Sequence, residues 1–182
     1  ITEPSAVLLS SYVQDGCYGV CDIGGGTFDF SIVEIKEDCY HTILNTGDLQ
    51  IGGEYMDNAI EKYVNLPKNT IEMLRDTTNQ FDNIIRPFFK KIEEKIEKCL
   101  QKNKKINHII LSGGINKTAN RMLNDFAKKH AIKLITHKTP MTAVAEGAAL
   151  HAQNQLQKSF KNILIDILPL SLGIEIQTEK SE

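Results

Sequence analysis

Three glycine-rich turns are the parts of this sequence best suited to chemistry. They are DIGGGT at 22–27, IGGE at 51–54 and SGG at 112–114. Glycine lets backbone N–H groups approach an anion because no Cβ stands in the way, and a following helix N-terminus adds a favourable dipole. A single Gly-Gly pair is more often a tight structural turn. Three such turns in one chain favour a cradle for phosphate or ribose.

Two aspartates bracket the first turn. Asp22 begins it and Asp29 follows seven residues later. Carboxylates beside a phosphate cradle are the ligands that a hydrated magnesium ion prefers, and Thr27 offers a hydroxyl to a phosphate oxygen. The same spacing also fits two carboxylates that cap the turn and face solvent. The sequence indicates a metal and phosphate site here and leaves the capping alternative open.

The first half of the chain carries the strands that would position these turns. Period-two alternation and strand-forming residues predict three strands, over 18–22, 28–35 and 39–45. An apolar stripe then predicts a helix over 56–64, and the NLPKN stretch after it is expected to break the helix. From Thr77 a second stripe predicts a long helix that Pro87 kinks.

The second half alternates strands and helices. A strand is predicted over 108–111, a helix over 119–126 and a strand over 132–136. Pro140 is placed in the first turn of a last helix, whose small residues over 144–152 permit close packing. The whole order predicts an α/β fold with a mixed sheet, with the long helical stretch as an insertion on one side.

Composition excludes several classes of protein. The chain has 182 residues and a net charge of −2, so no cationic field attracts nucleic acid. The longest apolar stretch, 163–176, is interrupted by charged residues and proline, and no basic leader opens the chain, so we expect neither a membrane span nor a secretory signal. The four cysteines form no C-x-x-C pair, which disfavours zinc and indicates a reducing compartment, the cytoplasm or an organelle matrix.

Six segments, in order, carry a resemblance to a known family. They are ITEPSAV, DIGGGTFDFSIVEI, IGGEYMDNAI, HIILSGGINK, PMTAVAEGAALHA and NILIDILPLSLGIEI. Together they resemble the DnaK-type heat-shock chaperones of the seventy-kilodalton class, and the match spans nearly the whole chain. The PLSLGIE tail disfavours a sugar-kinase relative.

The resemblance implies an actin/ribonuclease H-like lobe, the second lobe of the ATPase domain. Its core would comprise 1–53 and 107–160, with a shortened helical insertion subdomain at 54–106. Residues 161–182 would be the interdomain linker and the first strand of the peptide-binding domain. We expect 163–165 to be loosely docked, because their family partners lie in other domains.

The resemblance also assigns roles to individual residues. Glu3 is similar to the catalytic-site glutamate, Asp22 to the carboxylate that positions water and Mg²⁺, and Asp29 to the aspartate near the monovalent-cation site. The residues implied to hold the nucleotide are Gly24, Gly25, Gly26 and Thr27 at the β- and γ-phosphates, Gly52, Gly53 and Glu54 beside the phosphates and ribose, and Gly113, Gly114, Ile115 and Lys117 under the adenosine.

Adenine recognition is where the sequence departs from the family pattern. Between Val64 and Thr77 no counterpart of the family's Glu-Arg-Ala-Lys helix is expected. Ile115 and Lys117 stand where the family has Ser and Arg, and Met141 replaces an acidic residue. The sequence therefore predicts phosphate-led nucleotide binding with little preference for adenine.

The implied function is an ATP-binding chaperone that uses ATP or ADP, Mg²⁺ and K⁺. Its implied partners are the first lobe, a peptide-binding domain, a J-domain cochaperone, a nucleotide-exchange factor and unfolded client proteins. We expect this chain alone to be inactive, since the family's first phosphate loop and lysine lie in the other lobe. Two alternatives stay open: a non-catalytic regulatory fragment, and an iron–sulphur cluster assembly chaperone, which the NQFDNIIRPFFKKI stretch resembles.

Overall fold

Three consecutive antiparallel strands form the centre of the protein in a computed structural model, which describes residues 1–102, 106–156 and 163–167. The strands are β1 (Gly16–Ile23), β2 (Phe28–Lys36) and β3 (Cys39–Asp48). Along β2, Phe28, Phe30 and Ile32 are fully buried on one face, while Val33 and Ile35 lie on the other. Side-chain alternation alone places these two sets on opposite faces, and the register irregularity between Ile32 and Val33 is an extra residue, Ile43, in β3. All three predicted strands are confirmed.

Three further strands complete a mixed six-stranded sheet. They are β4 (His108–Ser112), β5 (Lys133–Thr136) and β6 (Ile163–Ile165), and the strand order is β5-β4-β1-β2-β3-β6. β4 pairs parallel to β1, β5 parallel to β4, and β6 parallel to β3. Because β1 and β4 are parallel neighbours, their carboxyl ends and the glycine turns that follow lie at the same edge of the sheet.

Two helices cover one face of the sheet. They are α1 (Glu3–Ser11), which was not predicted from the sequence, and α7 (Ala143–Leu156). The two helices cross closely, since a Cβ built on Gly147 would lie 1.9 Å from the Ala6 carbonyl oxygen. Pro140 lies in the turn before α7, so its predicted place in the first turn of that helix is wrong.

Five helices cover the other face. They are α2 (Gly53–Glu61), α3 (Lys68–Thr77), α4 (Asp82–Lys102), α5 (Asn116–Met122) and α6 (Asn124–Lys129). The apolar face of α4, with Ile85, Phe89, Ile92 and Ile96, shares one core with the phenylalanines of β2. The long helix of the predicted insertion therefore packs directly on the sheet, and the boundaries 54–106 stay a prediction.

Helix boundaries differ from the predictions at three places. The helix predicted over 56–64 already ends at Glu61. The predicted break at NLPKN is confirmed, since residues 64–67 are not helical, but a further helix, α3, begins directly after it. Pro67 occupies the N-cap of α3, where a missing N–H costs no hydrogen bond. The long helix begins at Asp82 and not at Thr77. Thr78 is extended, and residues 79–81 form a bend and a turn before the helix. The single helix predicted over 119–126 is two short helices that meet at Leu123.

The described part of the tail is paired with the sheet, and its loose docking stays a prediction. Ile163, Leu164 and Ile165 pair with residues 39–41 of β3, and Leu164 packs against the core formed by α1, α7 and the sheet. Backbone pairing to an open sheet edge satisfies this segment without another domain. Residues 168–182, where a further strand is predicted, lie outside the described part. Within the described residues, no helix combines the length and apolarity that a bilayer crossing needs.

Candidate functional site

The first two glycine turns are hydrogen-bonded to each other. The turn between β1 and β2 closes on itself, with the Gly24 N–H donating to the Thr27 carbonyl at 2.9 Å. At the start of α2, the Gly53 N–H donates to the Gly24 carbonyl at 3.0 Å and the Glu54 N–H donates to the Gly25 carbonyl at 2.8 Å. Helix α2 therefore begins directly on the first glycine turn and fixes its carbonyls.

The third glycine turn joins the same assembly. The Ile115 N–H donates to the Ile23 carbonyl at 3.1 Å, and the Gly113 N–H donates to the Pro140 carbonyl at 3.0 Å. Gly113 has a φ of +84°, and a Cβ there would lie 2.5 Å from a carboxylate oxygen of Asp22. Only glycine fits this position, because both the backbone conformation and the close approach exclude a side chain.

A cavity of about 660 Å³ opens between the three turns. Most of the predicted site residues line it: Glu3, Asp22, Gly24, Gly25, Thr27, Gly53, Glu54, Gly113, Gly114 and Ile115. Met141 also lines it, in the loop before α7. The sheet topology thus brings together residues that are more than a hundred positions apart in sequence.

Four predicted site residues do not line this cavity. Gly26 lies in the first turn, and Gly52 packs beneath that turn. Asp29 lies in β2, directly opposite Asp22 in the pairing of β1 with β2. Lys117 lies on α5 with its side chain exposed. Asp29 remains close enough to Asp22 to affect its pKa, whereas Lys117 is outside the site.

Gly25 and Gly26 are glycines without a structural cause in this fold. A Cβ built on either would meet no atom within 4 Å, and neither has a positive φ. Gly52 is the opposite case, because its Cβ would lie 2.5 Å from the Gly25 carbonyl oxygen. A glycine that neither backbone nor packing demands leaves room for close approach of a ligand to the backbone.

Two carboxylates, Asp22 and Glu3, line the cavity, and a third, Asp29, lies opposite Asp22 in β2. Burial raises the pKa of Asp22, the nearby charges of Glu3 and Asp29 raise it further, and a hydrogen bond with Ser112 lowers it. Burial also raises the pKa of Asp29, which a hydrogen bond with Thr27 partly offsets. The Thr27 hydroxyl is thus engaged with Asp29, an arrangement that spacing alone does not show.

This donor set fits a hydrated divalent cation. A bound cation would relieve the repulsion between Asp22 and its acidic neighbours, and carboxylate oxygens are the ligands that Mg²⁺ takes. Across the described residues, no three His, Cys, Asp or Glu side chains are grouped as a metal site. An ion here would therefore take its other ligands from water or from phosphate oxygens, as Mg²⁺ commonly does.

Helix α3 contributes a wall of the cavity that the sequence analysis missed. Arg75 of α3 forms an ion pair with Asp57 of α2, and both side chains are only 4% exposed. The same guanidinium donates to the Gly53 carbonyl at 3.3 Å and to Asp76 at 3.0 Å. This buried pair ties α3 to the second glycine turn. The sequence signal for this pair was an arginine, Arg75, at a position that belongs to no predicted apolar stripe.

Further polar side chains of α3 face the cavity. Lys68 and Glu72 line it together with Asp76, and the Lys68 ammonium lies 3.4 Å from a carboxylate oxygen of Glu54. A helix therefore does stand between Val64 and Thr77, in the stretch where the sequence predicts no counterpart of the family's Glu-Arg-Ala-Lys helix. These polar side chains of α3 line the same cavity as the third glycine turn and Ile115.

Comparison with known proteins bears on this site directly. The sequence profile of the Hsp70 protein family matches residues 9–77 and 68–182. This chain belongs to the Hsp70 family. Its sheet order and mixed strand directions agree with the actin/ribonuclease H-like lobe of the Hsp70 ATPase domain.

Individual Hsp70 relatives align over almost the whole chain. The chaperone protein HscA homolog of Rickettsia rickettsii (strain Sheila Smith) is 32% identical across 97% of this chain. The HscA homologs of Rickettsia bellii (strain RML369-C) and Rickettsia typhi (strain ATCC VR-144 / Wilmington) are each 31% identical across the same share. The chain spans about a third of the length of these relatives, 34% in the first case.

Proposed function

We propose that this chain is the second lobe of an ATP-binding chaperone and that its cavity holds ATP or ADP with Mg²⁺. The observation that carries the proposal is the pair Gly25 and Gly26, where a built Cβ meets no atom of the described residues within 4 Å. That space opens beside the carboxylates Asp22 and Glu3. Backbone donors and acidic groups together suit a phosphate chain and its metal ion.

Each part of the site has a role in this proposal. The N–H groups of the first turn bind phosphate oxygens, and α2 holds the loop in place through its bonds to Gly24 and Gly25. Asp22 would hold a hydrated Mg²⁺ and orient its water, and Asp29 would support Asp22 from β2 and offer a carboxylate to K⁺. Glu3 would orient the attacking water. Bound Mg²⁺ would neutralise charge on the phosphates.

The base and ribose lie between the third glycine turn and α3 in this proposal. Gly113, Gly114 and Ile115 form one side of the cavity, and Lys68 and Glu72 of α3 form the other. A polar helix on this side supplies hydrogen-bonding groups that the sequence analysis did not expect. Lys117 does not line the cavity and its side chain is exposed on α5, so the proposal gives it no contact with the base.

The wider activity follows from membership of the Hsp70 family and is part of the proposal. The intact protein would couple ATP hydrolysis to client binding, with a first lobe, a peptide-binding domain, a J-domain cochaperone and an exchange factor as partners. Segments 1–53, 54–106, 107–160 and 161–182 keep their predicted assignments. A cytoplasmic or organelle-matrix location is consistent with the four cysteines, which form no disulfide in the described structure.

A second candidate function is iron–sulphur cluster assembly. The relatives that align over 97% of the chain are named HscA homologs, which favours the branch that the NQFDNIIRPFFKKI stretch resembles. That stretch includes most of the first half of α4, whose buried residues pack on the sheet. Clients of this branch would distinguish it from a general folding chaperone, since the nucleotide site is shared.

Nucleotide titration of the purified chain tests the proposed site. We expect ATP and ADP to shift the amide resonances of residues 24–27 and 113–115, with a weaker effect when Mg²⁺ is chelated. GTP in a parallel titration measures base selectivity. Asp22→Asn should reduce the magnesium dependence, and the exposed Lys117→Ala should leave every titration unchanged. Shifts confined to other regions, or binding that Asp22→Asn leaves equally magnesium-dependent, would contradict the proposed site.

A further inference from the structure

The outer edge of β3 is only partly covered in the described structure. β3 runs from Cys39 to Asp48, but β6 pairs only with its first three residues, 39–41. Beyond residue 41, no other described strand pairs with β3 on this side. Alternate N–H and C=O groups of an edge strand point away from its neighbour and can pair with another chain. The same edge already accepts one extended segment.

A stripe of lysines runs beside this open edge. Lys91, Lys95, Lys98 and Lys102 of α4 are spaced by four, three and four residues, which places them on one face of the helix. Lys95 reaches β3, donating to the Gly47 carbonyl at 3.0 Å and lying 3.4 Å from a carboxylate oxygen of Asp48. Among the described residues, Lys98 and Lys102 have no acidic partner within the 4.0 Å range of an ion pair.

A groove of about 240 Å³ lies between the strand edge and the lysines. One side is formed by residues 44–46 of β3, and the other by Lys95, Lys98 and Lys102 with the buried Cys99 between them. Leu44 is half-buried there and offers an apolar contact. The groove therefore combines backbone N–H and C=O groups that have no described strand partner, the positive charge of the lysines and a small apolar surface.

We propose that this edge groove, residues 44–46 with Lys95, Lys98 and Lys102, binds an extended acidic segment of a partner protein. The segment adds to the sheet as a strand beside β3, in line with β6, and its alternate side chains face α4. Strand residues two apart are separated by about 6.6 Å, and helix residues four apart rise by about 6 Å. Carboxylates at every second position of the segment therefore match the spacing of Lys98 and Lys102.

The open edge of β3 favours a peptide over nucleic acid as the anionic partner. A strand edge pairs only with another peptide backbone, whereas nucleic acid would use the lysines alone. The competing explanation is protective, because natural edge strands use lysines and bulges to prevent pairing. β3 does carry a register irregularity opposite Ile32 and Val33. The two explanations predict opposite results with a strand-forming acidic peptide.

Fluorescence anisotropy with three labelled synthetic peptides tests the proposal on the purified chain. The first alternates glutamate with valine over eight residues, the second has lysine in place of glutamate, and the third keeps the glutamates but has proline in place of two central valines. We expect the first peptide alone to bind at low salt, with affinity falling as salt is raised. Amide exchange at residues 44–46 should slow in its presence.

Matched charge-reversal variants complete the test. Lys98→Glu with Lys102→Glu should weaken binding of the first peptide on the order of tenfold, since two exposed attractions become repulsions. Lys62→Glu with Lys133→Glu makes the same change in net charge on exposed lysines elsewhere and should leave binding unchanged. Equal binding of the acidic and proline-containing peptides, equal effects of both double variants, or no binding by the unmodified chain would each overturn the proposal.

Discussion

Replacing Gly25 by valine tests whether this glycine exists for a ligand. A Cβ at position 25 meets no atom within 4 Å and the backbone has no positive φ, so the side chain projects into open space. We expect the free energy of unfolding to change by less than about 0.5 kcal/mol, as for other surface substitutions without contacts. Replacing a glycine that the fold itself requires would lower the free energy of unfolding by more than this.

The effect on nucleotide binding should be much larger. A side chain at Gly25 prevents a phosphate oxygen from reaching the backbone N–H groups of the turn. Loss of one hydrogen bond to a charged group costs about 1.5–3 kcal/mol. That range corresponds to a loss of about 10- to 150-fold in affinity for ATP. Amide resonance titration extended to millimolar nucleotide measures this loss even where binding is weak.

Gly52→Ala is the matched control for packing. Its Cβ would lie 2.5 Å from the Gly25 carbonyl oxygen, within the backbone of the first turn. Overpacking of this kind costs about 1–3 kcal/mol. For a chain of this size, that lowers the melting temperature by about 2–12 °C. A Gly25→Val variant that binds ATP normally, or that melts as early as Gly52→Ala, would refute the reasoning.

Three further perturbations follow from the site. Arg75→Met leaves the Asp57 carboxylate buried without its partner and should cost about 3–5 kcal/mol in urea unfolding, while Lys68→Met, at an exposed pair, should cost less than about 1 kcal/mol. The raised pKa of Asp22 means that its ionised form destabilises the nucleotide-free fold, so stability should rise as pH falls from neutral toward its ordinary value of 3.8. Asp22→Asn should therefore melt higher at pH 7 and reduce that rise; a variant that melts lower would contradict this sign. The chain alone should hydrolyse ATP about a hundredfold to a thousandfold more slowly than an intact Hsp70 in single-turnover assays, since a charge-stabilising group of the other lobe is not supplied; comparable rates would contradict this.

Local patterns in the sequence were sufficient for much of the fold. The strands over 18–22, 28–35 and 39–45 were predictable because side-chain alternation is a property of neighbouring residues. The three glycine turns were predictable for the same reason, as each is a short run with its own backbone chemistry. Helix α3 was not predictable. Pro67 marks a break in the helical pattern, and the same residue can also begin a new helix, which here is held by contacts between α3 and α2.

The sequence by itself determined which residues could bind phosphate and metal: the glycines at 24–26 and the carboxylates Asp22 and Asp29. Only the tertiary structure decided which glycines packing requires, since Gly25 and Gly52 look alike in sequence and differ only in what surrounds a Cβ. It also placed Lys117 outside the lining of the cavity and Arg75 in its wall. These distinctions depend on distances between segments remote in the chain, which hydrogen bonding and packing between elements set and no local pattern encodes.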